Sequence, residues 1–321
     1  MIRIDTPNSS PYAKSKSKKT LLKERVIKYF FTLNSLVVIV LFTLILAFLL
    51  KEGLKALDVI AIKDFIYKTV FENGKETQIY QWYPTSDQPR YSLIPLILGS
   101  LLISIPATLI STVFGISVGI YLSEIATNRT RELLKPVIEI FAGIPTVVLG
   151  FFMLVVVASI FQDIFNPINR LNAFIASLGL SFIIIPIITS LTEDALNSVP
   201  KEIRMASYAL GANKFQTIFK VLIPTAVSGL SASIILGFGR AIGETMIVLM
   251  ASGNAAAVSI DLFRSVRTMT ATIAAELGEV SQDSAHYSAL FFIGLVLFVI
   301  TFILNLIAEL ILNKMRKKID Y

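Results

Sequence analysis

The chain has 321 residues, 55% hydrophobic and 16% charged, with mean hydropathy +0.73, which is more apolar than a soluble domain of this length. It contains no cysteine, which excludes disulfides, thiolate metal sites and cysteine nucleophiles. The net charge of +7 does not point to nucleic acid, because Lys and Arg gather at the ends of apolar runs instead of forming one basic face.

This pattern predicts an all-α, polytopic membrane bundle. Residues 1–28 read as a basic cytoplasmic tail within reach of anionic membrane lipid. The run Tyr29–Leu50 is long enough for a bilayer crossing, which takes roughly 20 residues. It continues into "LLKEGLKAL" with no small-x-small cleavage pattern, so 29–50 reads as a retained first helix and not a secretory signal. Residues 51–92 form an external segment whose Tyr80, Trp82 and Tyr83 are expected at the membrane interface.

Five further runs follow within 93–313: Leu93–Leu122, Pro136–Phe161, Ala173–Leu191, Val221–Met250 and Tyr287–Leu312. Residues 314–321 make a second cytoplasmic tail. Pro106 and Pro186 fall inside spans, where each removes a backbone donor and favours a kink unless neighbouring helices accommodate it. The Val221–Met250 run is too long for one straight crossing, and Pro224 predicts that the crossing begins after it. With the N-terminus inside, nineteen Lys/Arg lie on the cytoplasmic side and nine outside, which predicts both termini cytoplasmic.

The longest inside loop is "SVPKEIRMASYALGANKFQTIFKVLIP", Ser198 to Pro224. Ile203, Ala206 and Leu210, then Phe215, Ile218 and Phe219, recur at helical spacing on either side of Gly211. Two short helices joined by a glycine turn are expected. Such a pair could lie on lipid, pack on its own bundle or fill a groove on a partner, and periodicity does not choose.

One span carries charge: "GFGRAIGETMIVLM", residues 237 to 250. A charged side chain at the centre of a membrane helix costs about 2.5–3.5 kcal/mol, so Arg240 and Glu244 are expected to face a bundle interior or an aqueous path. Their spacing of four predicts one helix face and an ion pair. Gly237, Gly239 and Gly243 predict a close helix contact beside them. Glu139, near Pro136 and Pro145, is a further intramembrane candidate unless it faces the headgroups. His286 and Glu309 read as polar residues near span ends.

Several chemistries are absent. No G-x-x-x-x-G-K-[ST] occurs, so the chain has no P-loop. "GFGRAIG" has Ile242 where a dinucleotide fingerprint needs its third glycine, and it lies in a membrane span. No H-E-x-x-H metal motif occurs. An enzyme acting on lipid phosphate, with Arg240 as binder and Glu244 as acid or base, lacks a nucleophile or metal cluster.

The stretch "MASYALGANKFQTIFKVLIP" resembles the cytoplasmic signature of ABC importer permeases: an E-A-A triplet, three residues, a glycine, nine residues and an aliphatic-x-aliphatic-Pro ending. Met205, Ala206, Ser207, Gly211, Val221, Ile223 and Pro224 occupy those positions, with Met205 and Ser207 departing from the usual acid and second alanine. Four more stretches, "KPVIEIFAGIPTVVLGFF", "SLTEDALNSVPKEIRMASYALGA", "GRAIGETMIVLMASGNA" and "RTMTATIAAELGEV", extend the likeness from about Tyr91 to Glu309. Together they resemble the PstC-type membrane subunits of phosphate-specific ABC importers, in the binding-protein-dependent transport permease family.

That resemblance implies a type I ABC importer permease fold with six transmembrane helices, in the cytoplasmic membrane of a prokaryote. It implies a homologous second permease subunit, two cytoplasmic ATP-binding subunits that bind ATP and Mg, and an external phosphate-binding protein, with no cofactor on this chain. Glu202, Met205, Ala206, Ser207, Gly211 and Pro224 would couple to the ATPase, with Glu202 standing in for the acid that Met205 replaces. Arg240 would then offer its planar donor array to phosphate oxygens, and Glu244 would limit that attraction so that the ion can leave. A permease for molybdate, sulfate or a phosphonate, or the sister phosphate permease subunit, stays open as an alternative.

Overall fold

The computed structural model describes residues 18–72 and 75–319. The chain divides between Leu49 and Leu50 into two compact units. The first is one stretch of helix, the larger part of α1 (Lys18–Val59). Val26, Phe30, Leu33, Val37, Leu41, Leu44 and Ile45 are all exposed on it, and a helix that is apolar on every side suits lipid. Helix begins at Lys18, so residues 18–28, expected in the tail, are helical; residues 1–17 lie outside the described residues.

The second unit opens with the last turns of α1, where Ala56 and Ile60 are buried with Phe65, Leu93, Leu96, Leu290 and Ile293. A 3₁₀ turn (Ile62–Phe65) leads into two small antiparallel ladders, β1 (Lys68–Glu72) with β2 (Lys75–Ile79) and β3 (Trp82–Tyr83) with β4 (Arg90–Tyr91). These strands are too short for sequence alternation to reveal them. Trp82, expected at the membrane interface, is instead buried, its ring edge-on to Tyr91, while Tyr80 and Tyr83 are exposed.

The helices that follow are α2 (Ile94–Ile120), which runs on into a π turn (Tyr121–Ile125), α3 (Asn128–Ala142), α4 (Thr146–Phe165) and α5 (Ala173–Asn197). Then come α6 (Lys201–Ala209), α7 (Lys214–Thr225), α8 (Val227–Gly243), α9 (Met246–Ala251), α10 (Met269–Glu276) and α11 (Ala285–Ile319). Five of these, α1, α2, α4, α5 and α11, are long and apolar enough to cross a membrane. A sixth crossing is counted if α7 and α8, bent by 70° at Ala226, are one span. The bend falls just after Pro224, where the crossing was expected to begin.

The third span starts later than expected. Gly143 and Pro145 separate α3 from α4, because proline cannot donate to the turn before it. Glu139 therefore sits exposed on α3, outside the spanning helix. Pro106 and Pro186 interrupt nothing; α2 and α5 run through them.

The centre of the bundle is the α2–α5 pair. A Cβ at Gly115 would lie 2.8 Å from Ile188 Cβ, and one at Gly119 would lie 2.6 Å from Thr192 Cβ, so only hydrogen fits at either position. Ser177 Oγ donates to Ile103 O (3.0 Å) and Ser111 Oγ to Ser181 O (3.1 Å), which fixes the register of the two helices.

Candidate functional site

The two charges of the fifth crossing are not on one helix face. α8 ends at Gly243, and Glu244 adopts an extended backbone (φ −70°, ψ 137°) between α8 and α9. Its carboxylate is buried, 6% exposed, and Oε1 accepts from the Met246 N–H (3.1 Å), so it satisfies an orphan donor at the start of α9. Its carbonyl accepts from Thr270 Oγ1 of α10 (2.8 Å). Oε2 faces Arg240 Nη2 at 4.0 Å.

Arg240 itself is 52% exposed on this chain, so of the two expected settings it does not occupy the interior of the chain's own bundle. The break lets Glu244 turn inward while the guanidinium stays on the surface of the chain. An exposed planar cation with a carboxylate at the limit of contact range can take a second oxyanion without first breaking a tight pair.

The three glycines divide. At Gly237 a Cβ would stand 2.9 Å from Ile184 and 3.0 Å from Ile188, so α8 packs closely on α5 there. Gly239 has only Asn305 Oδ1 near, at 3.8 Å, and Gly243 has nothing within 4 Å. Among the described residues, then, Gly239 is half-buried against Asn305 of α11, and Gly243, three residues beyond Arg240, lies open.

In the loop 198–224, α6 and α7 are the two short helices expected, joined through Gly211 in a left-handed turn (φ 82°). Asn213 and Gln216 form a reciprocal capping box that starts α7. The expected apolar ridge splits. Ile218 is buried with Leu196, Val199 and Leu222, whereas Leu210, Phe215 and Phe219 point outward with Met205. Ser207, standing where the family signature has alanine, is buried and hydrogen-bonds Thr217 of α7 (2.9 Å). Glu202 is exposed on the first turn of α6, where the helix dipole favours an acid. Ala206, Leu210, Gly211, Lys220 and Val221 line an open groove of about 620 Å³. Pro224 closes α7 just before the bend.

Sequence reasoning missed two ionic clusters at this end. Glu193 of α5, 1% exposed, pairs with Arg131 and, at 3.4 Å, with Lys135, both on α3. Glu124, in the π turn after α2, pairs with Arg204 of α6 at 2.8 Å. The basic partners had been weighed only as markers of orientation. The available signal was acidic residues at the C-terminal ends of two spans, each followed or preceded by basic residues in the adjoining loops.

A third cluster lies at the opposite end, its acid outside the spans. Glu276, at the close of α10, accepts from Trp82 Nε1 (2.9 Å), meets His286 Nε2 (2.8 Å) and pairs with Arg267 Nη1 (2.5 Å). Burial pushes its pKa up, but the hydrogen bonds from His286 and Trp82 and the charge of Arg267 outweigh this and hold the carboxyl below its ordinary value. His286, at the first turn of the span α11, is thus also a partner of Glu276, which its position in the sequence did not reveal.

Comparison with known proteins places this arrangement. The family described as binding-protein-dependent transport system inner membrane component matches residues 112–317. The chain belongs to this family. The permease is 34% identical, over 70% of its length and 73% of the relative's, to the probable ABC transporter permease protein YqgH of Bacillus subtilis. It is 32% identical to the phosphate transport system permease protein PstC of Mesorhizobium japonicum, over 73% of this chain and 76% of that one. To the PstC of Xylella fastidiosa it is 29% identical over 92% of this chain and 94% of that one. Its fold is similar to a chain of a bacterial alginate ABC transporter (TM-score 0.61, 14% identity, 91% of this chain and 98% of that one). It is also similar to a chain of the MetNI methionine transporter (TM-score 0.56, 18% identity, 70% and 95%). The permease is a multi-pass membrane protein of the type I importer fold.

Proposed function

We propose that the permease is the PstC-type subunit of an ATP-driven importer of inorganic phosphate, forming half of the path with a homologous second permease. The observation that carries this reading is the likeness to phosphate permeases along nearly the whole chain, 92% of it in one case, including the external segment ahead of the core. The arrangement at the α8–α9 break supports it: a half-exposed guanidinium, an open Gly243 at the end of α8, and a buried carboxylate held off at 4.0 Å. That face suits a second subunit, which would enclose Arg240 without crowding it.

In this reading residues 29–50 are the first crossing, 51–92 lie outside, 93–313 are the core, and the tails 1–28 and 314–321 are cytoplasmic. Two cytoplasmic ATP-binding subunits dock on α6 and α7, and their nucleotide-driven closure moves the loop, so that access to the path alternates. An external phosphate-binding protein delivers the ion. Arg240 attracts the oxyanion, and Glu244 weakens that attraction enough for release.

The test is uptake of labelled phosphate by the complex reconstituted with its co-purified partners. Phosphate competes while equal molybdate, sulfate and phosphonate do not. Arg240→Ala, in a complex that assembles normally, is expected to lose about tenfold or more of the rate, the scale for removing a charged hydrogen-bond donor. Unchanged uptake in that variant would assign Arg240 to the surface and not to the path.

A further inference from the structure

α6 is separated from the helices before and after it by a break in the helical backbone at each end. Pro200 precedes its first residue, and Gly211, at positive φ, follows its last turn. Its outer face, with Met205 and Tyr208, is exposed. If only the backbone held it, a push on that face would be absorbed at the two breaks.

The inner face carries an attachment that no family signature residue supplies. A single nitrogen of Arg204, Nη2, donates both to Glu124 Oε1 (2.8 Å) and to Leu196 O (2.6 Å). Glu124 belongs to the π turn that ends α2, and Leu196 to the last turn of α5. Ser123 Oγ donates to Asn197 Oδ1 (3.0 Å), joining those same two tips directly. The side chains of Arg204 and Glu124 are only 19% and 9% exposed, so salt screens this pair far less than a surface one. Ile203, the neighbouring residue, packs on the buried Leu196–Ile218 cluster beneath. Glu193, with Arg131 and Lys135, extends the same body to α3.

We propose that Arg204 locks α6, the tip of α2 and the tip of α5 into one rigid body, and so acts as a positioning residue for transport. A displacement of the outer face of α6 then passes into the α2–α5 pair at the centre of the bundle instead of being lost at Pro200 and Gly211. This rests on the reading of the chain as an ATPase-coupled phosphate permease.

Because one nitrogen makes both contacts, Arg204→Lys can keep them, while Arg204→Met keeps only the apolar stem. In the complete importer in proteoliposomes, Arg204→Met is expected to lower the phosphate moved per ATP hydrolysed about tenfold, with the ATPase rate changed less than about twofold. Arg204→Lys restores most of the ratio, and Glu124→Gln reproduces the loss from the other partner. An unchanged ratio in Arg204→Met, or no rescue by lysine, overturns the lock. A wild-type complex that hydrolyses ATP and moves no phosphate refutes the phosphate reading instead. The distance across the lock decides the matter independently of transport. The chain has no cysteine, so spin labels at Ile125→Cys and Lys201→Cys report on it alone. That distance is expected to stay fixed between the nucleotide-free and vanadate-trapped complex, and to change between those states once Arg204→Met is added. A shift with Arg204 intact overturns the proposal.

Discussion

Glu276 draws one donor each from β3, the loop before α10 and the start of α11, so its charge ties the Trp82 ladder, 194 positions away, to the two segments that flank α10. Its pKa lies below the ordinary 4.5, so the native state binds the proton less readily than the unfolded chain does. The stability it contributes is fully present above the unfolded value and is lost as pH falls through the folded one. Glu276→Gln should therefore cost about 2 kcal/mol near pH 7. Thermal unfolding in detergent is expected to separate variant from wild type by several degrees at pH 7, with the gap closing as the pH drops below about 4. A gap that persists at low pH would mean that the carboxylate's charge is not what holds the cluster. At this scale the sequence was informative only where one residue broke a pattern. Arg240 stood out because a cation within an apolar run is costly wherever it lies. Glu193 and Arg204 did not, because their partners stand 62 and 80 positions away and are brought near only by packing.

Among the elements, the break between α8 and α9 separates what composition could foresee from what it could not. A continuous apolar run through Met250 gave no reason to stop the helix at Gly243. The stop is held from outside the run by Thr270 donating to the Glu244 carbonyl, and from within it by Glu244 Oε1 accepting from the Met246 N–H. By contrast, the bend at Ala226 and the pair α6–α7 were legible, since proline, glycine and a 3.6-residue period each act locally. The glycines give a matched test. Gly119→Leu places a side chain against Thr192, 2.6 Å from where its Cβ would sit, and should sharply reduce folded protein, as overpacking does. At Gly243 an added Cβ meets nothing within 4 Å among the described residues, and the position is exposed, so Gly243→Leu should leave the chain itself able to fold and purify normally. Its defect should appear instead as reduced co-purification of the second permease. If Gly243→Leu assembles with wild-type yield, the open end of α8 at Gly243 is not where the second subunit sits.

For the whole molecule, the fold class and the number of crossings followed from hydropathy, because each span must satisfy its backbone within itself and so writes its length into the sequence. The small ladders did not, since β3 and β4 are only two residues each and β3 is anchored by the buried Trp82, not by alternation. Orientation rests on the Lys/Arg asymmetry and is open to direct measurement. With single cysteines in the cysteine-free chain, Asp87→Cys should react with an impermeant maleimide from outside the cell, and Arg129→Cys only after the membrane is opened. The reverse pattern would invert every assignment of sides. The 70° turn at Ala226 also has a mechanical meaning. α7 is about 18 Å long at 1.5 Å per residue, so it is a short crank set across the shaft of α8. Tilting the pair by about 10° sweeps the far end of the crank through only about 3 Å, roughly one water molecule's width. Because the arm is that short, a tilt of the pair changes the position of the loop at its far end far less than it changes the direction in which α8 points.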